Sequence, residues 1–123
     1  MQFGYYEKDP NVYRIIELLN DAHRALREND LERARDDYSG IKERYRVLFD
    51  KSKKFVYDKI KKLSIAIDRR DIFNLVKEYE EAKRSFRKED AQRIYADIQK
   101  IYMRLPKKDR EIIYRRVFSD SFF

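Results

Sequence analysis

The chain has 123 residues, a formal net charge of +7, 42% hydrophobic and 43% charged side chains, and no cysteine. That length suits one domain, and the charge content is well above the usual quarter or so. Disulfides and thiolate metal sites are excluded, and no apolar run approaches the roughly 20 residues of a membrane span. Only two glycines and two prolines are present, too little turn material for a sheet protein, while Arg, Lys, Glu, Leu and Ala favour helix. The expected class is all-α, with five or six antiparallel helices in a single domain of residues 1–123. Enrichment in Lys, Glu and Arg also fits a thermophilic source.

Residues 1–9 and 119–123 read as irregular tails. Asp9-Pro10 is a helix start, with Asp as N-cap and Pro at the first helical position. The first helix should reach about Glu28 on the apolar positions Val12, Ile15, Ile16, Leu19, Ala22 and Leu26. Asn29-Asp30 breaks it, and Asn29 with Glu32 resembles a capping box. The second helix carries Leu31, Ala34, Tyr38, Ile41, Tyr45 and Leu48, spaced by threes and fours, with Gly40 inside it. A third helix is expected over 51–68 on Val56, Ile60, Leu63 and Ile67. Asp71 then caps a fourth over 72–88, with Ile72, Leu75, Val76, Tyr79, Ala82 and Phe86 inward. A fifth runs over 91–104 with Ala91, Ile94, Tyr95, Ile98, Ile101, Tyr102 and Leu105, and Pro106 opens a sixth over 107–118 with Ile112, Ile113 and Val117.

Two segments look alike. Ala22, Arg24, Leu26, Asp30 and Arg33 match Ala82, Arg84, Phe86, Asp90 and Arg93 at an offset of 60. Tyr38, Ile41, Tyr45, Leu48 and Tyr57 match Tyr95, Ile98, Tyr102, Leu105 and Tyr114 at 57. A three-residue deletion near the second turn reconciles the registers, giving an internal duplication of about 12–60 and 75–117.

The hairpin Asn29-Asp30-Leu31-Glu32-Arg33-Ala34 with Tyr38, and more weakly Glu89-Asp90-Ala91 with Tyr95, resembles the helical hairpins of tetratricopeptide-like repeat proteins. Leu105-Pro106 resembles the pair that opens the helix after such a hairpin, and small archaeal helical domains share this look. The resemblance covers about 12–48 and 75–117. It lacks the Trp, the Leu-Gly pair and the 34-residue period of the consensus. It implies a protein-binding scaffold.

Enzyme chemistry finds little support. The two glycines, Gly4 and Gly40, cannot form a phosphate-cradling loop. His23 is the only histidine, Asn20 stands where a Glu-x-x-His pair needs its carboxylate, and no serine lies in a nucleophile elbow. No catalytic residue, metal ligand or cofactor is therefore expected. Asp36-Asp37 and Glu80-Glu81 read as solvated faces.

Residues 50–71 hold eight basic and four acidic side chains, the densest basic stretch. Lys51, Lys54, Lys61 and Lys62 fall opposite the Val56–Ile60–Leu63–Ile67 seam, the footprint that nucleic acid attracts. Phe55 and Ile65 lie on that outer side too. Phe3, Tyr5, Tyr6, Phe122 and Phe123 lie outside the helices and should cover apolar surface, in this chain or on another. The expectation is a cytoplasmic, non-enzymatic protein–protein interaction or assembly scaffold, with a homodimer as one arrangement. The alternative is a nucleic-acid-associated protein using the helix-51–68 lysines.

Overall fold

A computed structural model describes residues 9–119. Of these, 86% are helical once a π-helical turn is counted with the five α-helices, α1 (Pro10–Arg27), α2 (Leu31–Tyr45), α3 (Asp50–Arg84), α4 (Lys88–Tyr102) and α5 (Lys107–Ile113). The π-helical turn, Tyr114–Phe118, follows α5, and no strand occurs among the described residues. The expected all-α class is what the chain adopts. Residues 1–8 and 120–123, which carry Phe3, Tyr5, Tyr6, Phe122 and Phe123, lie outside the described residues.

Two compact units divide the chain, one ending at Ile67 and the other beginning at Asp68. In unit 1, the Asp9 carboxylate accepts from the Asn11 N–H at 3.0 Å and Pro10 opens α1, as the sequence indicates. α1 ends in a left-handed turn, with Asn29 at φ 57° and the Asp30 N–H returning to the Ala25 carbonyl at 2.8 Å. Asp30, and not the expected Asn29, then caps α2 by accepting from the Arg33 N–H at 3.2 Å. Val12, Ile15, Ala22 and Ala25 of α1, Ala34 and Ile41 of α2, and Val56 and Leu63 of α3 are fully buried together. Gly40 lies inside α2, where a Cβ would meet the Leu18 Cδ1 at 3.4 Å and the Arg44 Nη1 at 3.7 Å.

Unit 2 has its own core of Ile72, Val76 and Ala82 from α3, Ala91, Ile94 and Ile98 from α4, and Ile113 and Val117 beyond. Its surface is tied by arginines to distant carboxylates. Arg104 bonds Asp68 at 3.3 and 3.0 Å, Arg116 bonds Glu80 at 3.1 and 2.9 Å, and Arg69 bonds Asp109 at 2.9 Å.

Four further expectations are corrected. The break at 68–71 does not exist: α3 is one 35-residue helix, and Asp71 lies inside it. Asp-Arg-Arg-Asp contains neither Gly nor Pro, so nothing there obliges the chain to leave the helix. Phe86 is not inward. It sits in the α3–α4 turn at φ 58°, with 92% of its surface exposed. Ile112 is also exposed, while Ile113 and Val117 take the core side.

The fourth correction concerns register. Every described boundary after α1 recurs at 57, never at 60. α2 spans Leu31–Tyr45 and α4 spans Lys88–Tyr102. Asn29 and Phe86 share their left-handed φ, and Asp30 N–H to Ala25 parallels Arg87 N–H to Ala82, at 2.9 Å. No deletion separates the registers. Offsets of 57 and 60 differ by nearly one helical turn, so an apolar seam aligns almost as well in either.

Candidate interaction surfaces

The 57-residue correspondence puts a trio of tyrosines at the same places in both units. Tyr38 and Tyr45 of α2 and Tyr57 of α3 correspond to Tyr95, Tyr102 and Tyr114. Along α2, positions 38 and 45 are one heptad apart, so both rings stand on one face, and each is half-buried against its core. In unit 2 the space between the three rings is taken by Phe118. Its ring lies 5.3 Å from Tyr95 and 4.9 Å from Tyr102, both edge-on, and 6.3 Å from Tyr114. In unit 1 the residue corresponding to Phe118 is Lys61, which is exposed. A cleft of about 590 Å³ remains there, lined by the three tyrosines and Ile60 and rimmed by Lys42, Glu43, Arg46 and Lys61.

A second cleft, of about 750 Å³, opens in unit 2 between α3 and α4. Tyr79, Ala82, Ala91 and Tyr95 form its apolar floor, Phe86 stands at its edge, and Lys83 and Lys88 flank it. In unit 1 the residues corresponding to these lysines are Leu26, which is buried, and Leu31, which packs against the core. Phe86 combines two unfavourable features. A bulky side chain is strained at positive φ, and an exposed aromatic ring gains nothing from burial. Asn29, its counterpart, is a residue type that tolerates this conformation.

Lys51, Lys54, Lys61 and Lys62 are all exposed on the first half of α3, while Val56, Leu63 and Ile67 are buried. The two apolar residues expected among them stand differently. Phe55 is half-buried against the unit 1 core, with the Lys59 ammonium 5.8 Å from its ring centre, and Ile65 is half-buried.

The acidic pairs are less uniform than the sequence suggests. Asp36 is exposed, but Asp37 is half-buried and turned toward Asp21 of α1. Arg33 clasps Asp21 through Nε at 2.9 Å and through Nη2. This hydrogen bonding, Arg33 first and Asp37 second, holds the Asp21 carboxyl well below the usual range. Burial, followed by the neighbouring Asp21, pushes Asp37 up to about 6, and its Oδ2 is buried without a partner. Position 94, corresponding to Asp37, is a buried Ile. Glu80 is bound by Arg116, while Glu81 is exposed beside Arg84. His23 is half-buried.

No group of three His, Cys, Asp or Glu able to hold a metal ion occurs among the described residues. Nor is any helix among them long and apolar enough to cross a membrane. The open surfaces are aromatic and aliphatic floors with basic rims, a chemistry suited to holding apolar side chains. Sequence reasoning placed Tyr38, Tyr45, Tyr79 and Tyr95 on helix seams but missed the two clefts. It also missed Phe86, which it paired with Leu26, although at an offset of 57 Asn29 marks the turn. No family model, curated protein or solved structure matches the chain.

Proposed function

We propose that this protein is a non-enzymatic scaffold that binds other proteins through apolar surface left open on its helical units. The observation that supports it most is Phe86, 92% exposed and held at φ 58° beside the 750 Å³ cleft. Strained or exposed large side chains persist where a function retains them, and apolar patches rimmed by polar residues mark interaction sites. The resemblance to tetratricopeptide-like hairpins points the same way by analogy, and the 57-residue spacing reads as an internal duplication of such a unit. The reading takes the protein to be cytoplasmic. The test is retention from a nuclease-treated extract of the native host on immobilised parent protein and on Phe86→Asn. The expected result is a defined protein partner held by the parent and lost from the variant. Equal retention by both, or none by either, counts against the reading.

The four exposed lysines of α3 favour a second reading, association with nucleic acid. Binding by counterion release weakens with salt in proportion to the phosphates contacted. Submicromolar binding of a duplex at about 0.15 M salt, abolished when Lys51, Lys54, Lys61 and Lys62 are changed to Glu with helicity intact, would establish it over the first.

A further inference from the structure

We propose that the cradle of Tyr38, Tyr45 and Tyr57 in unit 1 receives a phenylalanine side chain carried on an acidic segment of a partner protein. The proposal rests on the scaffold reading and names its site and ligand chemistry.

The chain itself supplies the template. In unit 2 the corresponding trio surrounds Phe118, with two edge-on contacts at 5.3 and 4.9 Å. Aromatic rings prefer this edge-to-face geometry, because a positive ring edge meets a negative ring face. The trio in unit 1 keeps all three tyrosines and loses only the plug, since position 61 is Lys. A lysine cannot replace it. Its stem can lie along apolar surface, but its ammonium stays in water, and Lys61 is exposed. The result is a cleft of about 590 Å³ with Tyr38 and Tyr45 half-buried at its sides and Tyr57 53% exposed at its mouth. One benzyl group would restore the contacts that unit 2 makes internally.

The rim selects the flanks of the ligand. Three cations, Lys42, Arg46 and Lys61, surround the mouth against one carboxylate, Glu43. The corresponding positions in the plugged unit are Gln99, Met103, Phe118 and Lys100, a less basic set. The Lys42 ammonium already lies 5.4 Å from the Tyr38 ring centre. Carboxylates on either side of the incoming ring would meet these cations, which steers encounter and disfavours basic partners.

The test uses the full chain and an acetylated, amidated heptapeptide, Asp-Asp-Glu-Phe-Glu-Asp-Asp, followed through the tyrosine ring resonances. The expected result is saturable binding, weakened tenfold or more when Ala replaces the Phe and likewise when Lys replaces the acids. Lys61→Phe supplies the plug from within. It should raise the thermal midpoint and reduce peptide binding at least tenfold. Lys61→Glu leaves the cleft open and reverses one rim charge, so it should weaken binding severalfold without changing the fold. No binding at millimolar peptide overturns the proposal, as does equal binding by the Ala peptide or by Lys61→Phe. Binding that emerges only after residues 1–8 or 119–123 are removed also overturns it, since this chain's own aromatic segment is then the occupant. A parent that self-associates while Lys61→Phe is monomeric overturns it in favour of a second copy. A host partner retained equally by parent and Lys61→Phe leaves the scaffold reading standing while the cradle proposal falls.

Discussion

Replacing Phe86 by Asn should make the protein more stable, against the usual rule that losing a large apolar side chain destabilises. At φ 58° an L-residue brings its Cβ close to the neighbouring carbonyl, which costs roughly 1–2 kcal/mol, and Asn relieves part of this through local hydrogen bonding. The opposing loss is small, because 92% of the Phe86 surface is already exposed and only the covered remainder contributes burial energy. The net expectation is a gain of about 1 kcal/mol, which for a domain of this size raises the melting temperature by about 4 °C. Thermal unfolding followed by circular dichroism at 222 nm (the helix band), with calorimetry in parallel, measures it. The reverse exchange, Asn29→Phe, should lower stability by a similar amount. A Phe86→Asn variant that melts at or below the parent temperature refutes the argument. It would mean that the ring is packed in the folded protein and has no need of a partner.

Gly40→Ala should stabilise by about 0.5–1 kcal/mol in urea titration, since the new methyl reaches Leu18 at an ordinary 3.4 Å while helix propensity improves. Ile41→Ala and Ile98→Ala, at corresponding and fully buried positions, should each cost about 2–5 kcal/mol, measured the same way. A cost below about 0.5 kcal/mol at both would overturn the assigned packing. Asp37 should give the protein an unusual acid response. Its carboxyl is raised from 3.8 to about 6, so its contribution is present below the unfolded value and is lost as pH rises through about 6. Asp21, held low, works in the opposite sense below 3.8, and Arg14, Arg24 and Arg33 are the cations acting on the pair. Asp37→Asn cannot titrate and can donate to Asp21. Its melting temperature should therefore vary less than the parent's between pH 4 and 6 and exceed it at pH 7.

Much of the fold was legible because it rests on local rules. Asp9-Pro10 marks a helix start through its own chemistry, and the threes-and-fours spacing of Ile41, Tyr45 and Leu48 fixes which face turns inward, whereas the cap of α2 falls on Asp30, one residue beyond the expected Asn29. Asp71 failed as a boundary because capping residues are also ordinary surface residues. The helix stops only where something displaces it. The clefts were not legible for a different reason. Whether Tyr38 and Tyr45 flank a filled or an empty space depends on position 61, more than a dozen residues away and on another helix. Asp37 was misread because only the fold brings Asp21 against it. Phe86 was misread because the offset of 60 pairs it with the inward Leu26, whereas the two turns correspond at 57, where it pairs with Asn29.

The uniform spacing has a consequence for valency. The segment from Val47 to Met103 is 57 residues long and begins and ends within corresponding turns, Arg46–Phe49 and Met103–Pro106. A gene carrying that segment twice would encode a longer chain in which every turn keeps its length. Each added copy would bring another Lys61 facing a tyrosine trio, while the single Phe118 would still close only the last. Open cradles would then rise in number with the repeats, and a ligand offering several phenylalanines would gain avidity without any new kind of contact. In such a chain, the residue at position 61 or at its counterpart 118 would decide whether each tyrosine trio stays open or is closed.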